Sequence, residues 1–269
     1  MKDFIFFDDL LKDLCPSNKI VLSFDLDWAS DEVIDYTYQK VRKAGVKVTF
    51  FVTHPTPLIE RFADDPKVQL GLHPNFNPFF SKNWQESTEE SFQYLSDLKR
   101  SLLPSAKIIR SHSLTTSSLL LSQFWDLGFE ISSNYAMFGQ TGLYPFHHPS
   151  GIVEMPIFFG DDGYISFRNS TFLPSFSDEF LLEREFRGFR NFNFHPIHIA
   201  LNTSSLEQYE DSREYHHDLS KILAGKISGQ GVESFFEKLI ILSIPKLCEI
   251  LTVIKFLDFS TPVLSVDGP

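Results

Sequence analysis

Short apolar runs alternate with segments of helical periodicity along most of this chain. Residues 20–24 (Ile-Val-Leu-Ser-Phe) read as a buried strand. Ser30 then suits an N-cap, with Asp31 and Glu32 in the first turn, where the helix dipole favours carboxylates. Ile34, Tyr38 and Val41 recur at helical spacing, and Gly45 is positioned to end that helix. Residues 46–52 are rich in β-branched and aromatic side chains and predict the next strand, completing a βαβ unit. The rhythm continues with a short helix over 57–62, a strand over 68–72, and a helix capped by Ser87 or Thr88 that runs to about Leu102. That helix would place Phe92, Leu95 and Leu102 on one face. Strands follow over 107–109, 129–132, 152–158 and 192–194, with a helix over 117–127 stopped by Gly128. Such alternation predicts a mostly parallel sheet covered on both faces. A chain of 269 residues is long enough for one distorted (β/α) barrel of about seven parallel strands.

Other segments depart from the rhythm. Residues 134–151 collect Gly, Pro, His and aromatic residues and read as a long loop near the barrel mouth. Residues 180–190 read as a polar helix, and 207–231 as charged or irregular until Gly229-Gln230-Gly231 precedes the final helices. No repeat or linker divides the chain. The reading is one domain over 1–269, with a core at about 18–205 and a C-terminal helical segment at about 206–269.

Composition narrows the function classes. Hydrophobic residues make up 42%, enough for a sizeable core and too many for a disordered chain. The 29 phenylalanines fit an aromatic-rich core, with a minority available to line a sugar cleft. A net charge of −11 argues against nucleic acid and against an anionic membrane surface. Cys15 and Cys248 lie far apart and indicate neither a disulfide framework nor a cysteine zinc site. Asp3, Asp8 and Asp9 interrupt the N-terminal apolar residues, so no signal-peptide layout appears and the expected location is cytoplasmic. Lys246, Glu249, Lys255, Asp258 and Pro245 break the apolar stretch 239–259, which predicts two packed amphipathic segments and no stable membrane insertion. Nothing in the sequence sets an oligomeric state.

The chemistry lies where polar residues fall relative to the strands. The first strand runs into Asp25-Leu26-Asp27, the third into His73-Pro74-Asn75-Phe76-Asn77, and the fourth into Arg110-Ser111-His112. The sixth reaches Asp161-Asp162 after Phe159-Gly160, and the seventh ends in His195-Pro196-Ile197-His198. In a parallel barrel these carboxyl ends converge on the face where barrel enzymes assemble their sites. One residue between Asp25 and Asp27 puts both carboxylates on one side of an extended segment. Such a pair resists joint ionisation unless a cation neutralises it; a metal would hold one acid and leave the other as a base. The bland alternative is a pair of acids capping the next helix. His73 is a candidate ligand for zinc or a similar divalent ion. Arg110 is suited to pair bidentately with a carboxylate, and His112 is a candidate third ligand. Asp161 or Asp162 could support the charge of His195, while His198 could simply cover the rim. The loop pair His147-His148 could meet substrate, although paired loop histidines are usually solvated; His54, His216 and His217 have a weaker claim.

At these residues the chain resembles the polysaccharide deacetylases of carbohydrate esterase family four, the NodB-homology group. Residues 23–27 (Ser-Phe-Asp-Leu-Asp) look like that family's T-F-D-D motif with one residue inserted, and 48–52 (Val-Thr-Phe-Phe-Val) are similar to its A-T-F-F-V strand. Leu72-His73-Pro74 stands where the family has H-[ST]-x-x-H, Arg110 where it has R-x-P, Asp161-Asp162 near its acidic fourth motif, and Phe194-His195 in its late histidine strand. The runs Asp27-Trp28, His73 to Pro78, Arg110 to Ser113 and Phe194 to His198 resemble the WbmS-like branch, associated with surface-polysaccharide biosynthesis, over about residues 20–203. Two departures stand out. The family's second metal histidine falls at Asn77, and Leu26 separates the two acids.

The resemblance implies a metal-dependent hydrolase, probed best as one that removes an N-acetyl group from an amino sugar, free, nucleotide-linked or polymeric. Its divalent ion, zinc or a near relative, would be held by Asp27, His73 and His112; alternatively Asn77 coordinates and His112 meets substrate. Asp25 would act as base, oriented by Arg110, and His195 would protonate the leaving amine with Asp161 or Asp162 behind it. Among these, Asp25, His195, Arg110 and Asp162 form the expected catalytic group. A deformylase with the same machinery, a barrel metallohydrolase built on His195-x-x-His198, and a non-catalytic sugar-binding protein are the rival readings.

Overall fold

Ten strands form one sheet in the computed structural model, which describes residues 3–13, 15–79, 84–167, 177–183 and 185–241. The first half runs β1 (Asp3–Ile5), α1 (Phe7–Lys12), β2 (Lys19–Asp25), α2 (Asp31–Ala44), β3 (Val48–Val52), α3 (Leu58–Ala63), β4 (Val68–Leu72), α4 (Trp84–Leu102), β5 (Ile108–Ile109) and α5 (Ser118–Asp126). The second half runs β6 (Ile131–Ser132), β7 (Phe146–His147), β8 (Val153–Glu154), β9 (Phe159–Gly160), α6 (Asp161–Phe167), α7 (Asp178–Leu181), β10 (Phe189–Phe194) and α8 (Pro196–Leu201). It closes with α9 (Leu206–Ser212), α10 (Leu219–Ala224) and α11 (Val232–Ile241). The spatial order is β7-β8-β6-β5-β4-β3-β2-β10-β9, with β1 beside the start of β2. Among the described residues every pairing is parallel except β7 with β8. The sheet curls into a half-barrel, and β8 does not pair with β9. The expected parallel α/β barrel is therefore present in an open form.

Strand alternation decides what faces the barrel interior. In β2, Ser23 and Asp25 point one way and Leu22 and Phe24 the other, and all four are buried. The register carries this across the sheet: Ser23 pairs with Asn193 of β10 and with Thr49 of β3, and Asp25 with Phe51. Phe24 belongs to the layer of rings under the helices, packing 5.7 Å from Phe194 and 5.9 Å from Phe236. Phe159 stacks on Phe235 of α11 at 4.6 Å, and Phe50 stacks on Phe62 of α3 at the same spacing. Burial of such rings is the main stabilising term. It accounts for much of the phenylalanine content.

Several boundaries differ from the sequence reading. Helix α4 begins at Trp84, so Ser87 and Thr88 lie inside it, and Phe92 is exposed while Leu95 is buried. The strand expected over 152–158 shortens to β8, with an isolated bridge at Ile157, and β9 begins just past its expected end. The loop over 134–151 contributes β7. The polar helix expected over 180–190 is the single turn α7, and β10 already begins at Phe189. Arg190 misled the pattern. It is 2% exposed, donates from Nη1 to the Leu181 carbonyl at 3.0 Å, and lies 4.2 Å from the Phe186 ring centre. Segment 207–231 holds α9, a 3-10 turn at Arg213–Tyr215 and α10. Most of 239–259 lies outside the described residues. Among the described residues no helix is long and apolar enough to cross a membrane.

Gly188 starts the run into β10. Its φ is +75°, and a Cβ there would sit 2.0 Å from the Leu143 carbonyl oxygen. Backbone cannot retreat as a flexible side chain can, so Gly188→Ala combines a left-handed penalty with a clash. Denaturant unfolding should show a loss of at least about 2 kcal/mol. A wild-type midpoint would contradict this account of the β10 entry.

Candidate active site

Five strand ends deliver the polar residues that the sequence marks. Asp25 is the last residue of β2, and the chain then leaves the extended region, with φ +39° at Asp27 and +56° at Trp28. The alternation rule does not explain why both acids face one centre, because Asp27 is not in an extended segment. This left-handed turn does. His73 follows β4 directly, its N–H donating to the Val52 carbonyl at 2.8 Å. Arg110 follows β5, and the His112 N–H donates to the Pro74 carbonyl at 2.8 Å, tying two strand ends together.

Arg110 is fully buried under the site and organises its floor. Nη1 donates to Asp25 Oδ1 at 2.9 Å, to Ser23 Oγ at 3.1 Å and to Asn193 Oδ1 at 2.5 Å. Nε and Nη2 donate to the carbonyl and hydroxyl of Ser133, at 3.0 and 2.9 Å. The pairing with Asp25 is through one oxygen, not the bidentate fork expected from sequence. Asn193 Nδ2 holds the other, Asp25 Oδ2, at 2.8 Å. Burial alone would raise the Asp25 pKa, but Arg110, His73 and His195 outweigh it and keep the carboxyl below its ordinary value. Asp25 is therefore a fixed, ionised carboxylate.

Above it stands the group predicted to hold an ion. Asp27 Oδ1 lies 3.1 Å from His73 Nε2 and 3.1 Å from His112 Nδ1. One donor atom from each of the three residues falls within 4.8 Å of the others. Burial opposes ionisation of Asp27, but the contacts with His112 and His73 hold its pKa far below the usual carboxylate range. An oxygen and two imidazole nitrogens form an N/O donor set that suits zinc and other first-row ions. Ligands at about 2.0–2.2 Å from one such ion lie roughly 3 to 3.5 Å apart, matching these separations. Among the described residues the buried His73 Nδ1 has no hydrogen-bond partner, and it lies 3.8 Å from Asp25 Oδ1. The residues fit a divalent ion. Asn77 is exposed on a 3-10 turn, and its amide bonds Ser113 Oγ and Thr115 Oγ1, each at 3.3 Å.

His195 closes the site from β10. Its Nε2 lies 3.4 Å from Asp27 Oδ2 and 4.0 Å from Asp25 Oδ2. Behind it, Asp161 Oδ1 meets Nδ1 at 2.7 Å while Asp161 Oδ2 accepts the His195 backbone N–H at 2.6 Å. Burial works against a charged ring, but Asp161, Asp162 and Asp27 outweigh it and raise the His195 pKa well above its ordinary value. These carboxylates favour the charged ring, with Asp161 fixing which nitrogen faces the site. Here the sequence reading is corrected: Asp161, not Asp162, is the direct partner. Asp162 is 73% exposed on its side chain and pairs with His198 Nε2 at 3.0 Å. His198 itself is buried, not a rim residue, and its Nδ1 meets Thr203 Oγ1 at 3.0 Å. His54 and His148 lie apart, beside Thr53 and Glu154, and His147 is exposed on β7.

These contacts separate the two aspartates. Asp161→Asn should lower turnover by about 10²-fold, because it removes the charge that supports His195. Asp162→Asn should stay within a few-fold of wild type, its carboxylate being largely in water. Equal losses in steady-state kcat for both variants would overturn this assignment.

Sequence reasoning missed Ser23, Ser133 and Asn193, which hold Arg110 and Asp25 in place. The signal was present: Asn-Phe-Asn-Phe over 191–194 puts Asn191 and Asn193 on the same face of β10, aligned with Ser23. Polar residues alternating with buried rings mark a polar barrel interior.

Fold and centre together define an α/β half-barrel protein whose strand ends carry carboxylates, imidazoles and a guanidinium on the face that barrel enzymes use. The profile of the WbmS-like polysaccharide deacetylase family matches residues 22–213. The chain belongs to this family, whose members are hydrolases of sugar substrates. It is similar to the crystal structure of WbmS from Bordetella bronchiseptica, a protein assigned as a polysaccharide deacetylase involved in O-antigen biosynthesis. That alignment has 32% identity and a TM-score of 0.73, covering 84% of this chain and 91% of the other. A protein assigned as a polysaccharide deacetylase from Mycobacterium smegmatis aligns over 66% of this chain and 76% of its own, at 14% identity and a TM-score of 0.43. A family 4 carbohydrate esterase from Streptomyces lividans, in complex with acetate, aligns over 79% and 90%, at 12% identity and a TM-score of 0.42. Such distant likenesses carry no argument for this chain. Among curated proteins none matches it.

Proposed function

We propose that this protein is a metal-dependent N-deacetylase acting on an amino sugar in surface-polysaccharide biosynthesis. The observation that carries the reading is the juxtaposition of an Asp27–His73–His112 donor group with a pinned base, Asp25, and a protonated imidazole, His195. A divalent ion, when bound, supplies acidification of a water molecule and polarisation of the acyl carbonyl. Asp25 takes the proton from water as it adds to the acyl carbon, while Arg110 and Asn193 keep its oxygens aimed. His195 Nε2 then gives its proton to the amide nitrogen as the C–N bond breaks, and Asp161 stabilises the ring in its charged form. Acid and base are distinct groups with pKa values displaced in opposite directions, the arrangement that lets one site do both jobs near neutral pH.

A small acyl group is favoured by the cavity of about 120 Å³ at the centre, where Leu114, Phe138 and Ile157 supply apolar walls. Formyl would satisfy the same walls, so the acyl group is a variable of the test. The experiment is acid release from N-acetyl and N-formyl amino sugars, free, nucleotide-linked and polymeric. Acetate release that depends on added zinc or another first-row ion supports the reading. Full activity in metal-stripped protein, or release of formate alone, would replace it.

A further inference from the structure

Beside the acyl cavity lies a larger one of about 460 Å³, and Asp27, His112, Asp162 and His195 line both. The proposed chemistry uses neither Trp28 nor Tyr209, which line the larger space. Trp28 is 40% exposed, an unusual placement for the largest side chain. Its backbone is held at φ +56°, a conformation costly for a bulky residue. A strained backbone that presents a tryptophan to solvent recovers little of that cost by packing, which points to a ligand contact. Its position is fixed: its N–H donates to Thr53 Oγ1 at 3.2 Å, and its ring meets His112 edge-on at 5.1 Å between centres. A second aromatic surface lines the same cavity. His198, Tyr209 and His216 form a column with ring centres 4.8 and 4.9 Å apart. His216 Nε2 is anchored on Ser212 Oγ at 2.7 Å.

We infer that this cavity holds the sugar ring of the substrate, with Trp28 and Tyr209 as specificity-determining residues and the acyl group directed into the smaller cavity. The inference rests on the proposed deacetylation and adds to it where the sugar sits. Pyranose C–H faces pack on aromatic rings, and rings flanked by polar edges give orientation as well as affinity. A volume near 460 Å³ is in the lower half of the range for small-molecule sites. It therefore suits one sugar unit with part of its neighbour, so that recognition is of a single unit, with any further chain outside.

The test is binding, measured apart from turnover. Metal-stripped full-length protein is titrated with N-acetylglucosamine, N-acetylgalactosamine and chitotriose, and contacts are read by saturation-transfer NMR and calorimetry. At least one probe should bind, and Trp28→Ala should weaken it about tenfold or more, with Trp28→Phe recovering part of the loss. Tyr209→Phe retains the ring column and should lower affinity less than Trp28→Ala does. Chitotriose should bind within a few-fold of the best single sugar, because only one unit is engaged. Wild-type affinity in Trp28→Ala, no binding of any probe to wild type, or affinity that climbs steeply with chain length would each overturn the inference. Sugar binding lost on Trp28→Ala without acid release from loaded enzyme would leave this cavity standing and remove the proposed reaction. Acid release with an unchanged KM in Trp28→Ala would do the reverse.

Discussion

Asp25→Asn is expected to lower acetate release by about 10³-fold or more, with metal content close to wild type and a lower unfolding midpoint. The expectation follows from what surrounds the carboxylate. Both its oxygens accept hydrogen bonds, from Arg110 Nη1 and Asn193 Nδ2, so an amide keeps the size of the side chain but loses the charge that accepts a proton and sets its own N–H against one of these donors. General-base contributions run to about 10²–10⁴. Loss of the carboxylate also leaves the buried Arg110 cation without its counter-charge, which costs some stability. For that reason the comparison with Asn193→Ala is informative. Asn193 touches the same carboxylate through Oδ2 but moves no proton, so its removal should reduce kcat by about tenfold and leave the proton-transfer step intact. A wild-type rate in Asp25→Asn would place the base elsewhere.

His73→Ala is expected to abolish both metal retention and turnover. The ring is 2% exposed and held by its own backbone bond to β3, so it cannot be replaced by a neighbour swinging in. Its Nε2 and His112 Nδ1 flank the same Asp27 oxygen. Deleting one nitrogen leaves an incomplete set, and removal of a ligand costs far more than a positioning partner does. Chelator treatment of wild type should reproduce the loss, and added zinc should restore wild type but not His73→Ala. Recovery of His73→Ala by metal at ordinary concentrations would show that the ion is held without it.

Much of this was legible because the chemistry sits at fixed places in a regular pattern. Strongly apolar strands such as β2, β3 and β4 announced themselves, and Asp25, His73, Arg110 and His195 each stand at or directly after a strand end. Residues 152–158 read as one strand because most of them are apolar, but Pro156 interrupts the run, and of the named strands only β8 lies within it. The start of β10 was hidden by Arg190 and Asn191, which are buried only because carbonyls, rings and hydroxyls from other elements satisfy them. Sequence alone could not choose between Asp161 and Asp162. Adjacent residues on α6 point in different directions, and only the distance to His195 Nδ1 separates them. Nor could it show that Asp27 turns back through a left-handed conformation, since nothing in Asp27-Trp28 advertises a positive φ.

The most direct measurement of the central claim is elemental analysis of purified wild type and of Asp27→Ala, His73→Ala, His112→Ala and Asn77→Ala. One divalent ion per chain is predicted for wild type and for Asn77→Ala, with the other three falling well below that ratio. An ion that survives loss of both His73 and His112, or one that leaves with Asn77, would contradict the site described above.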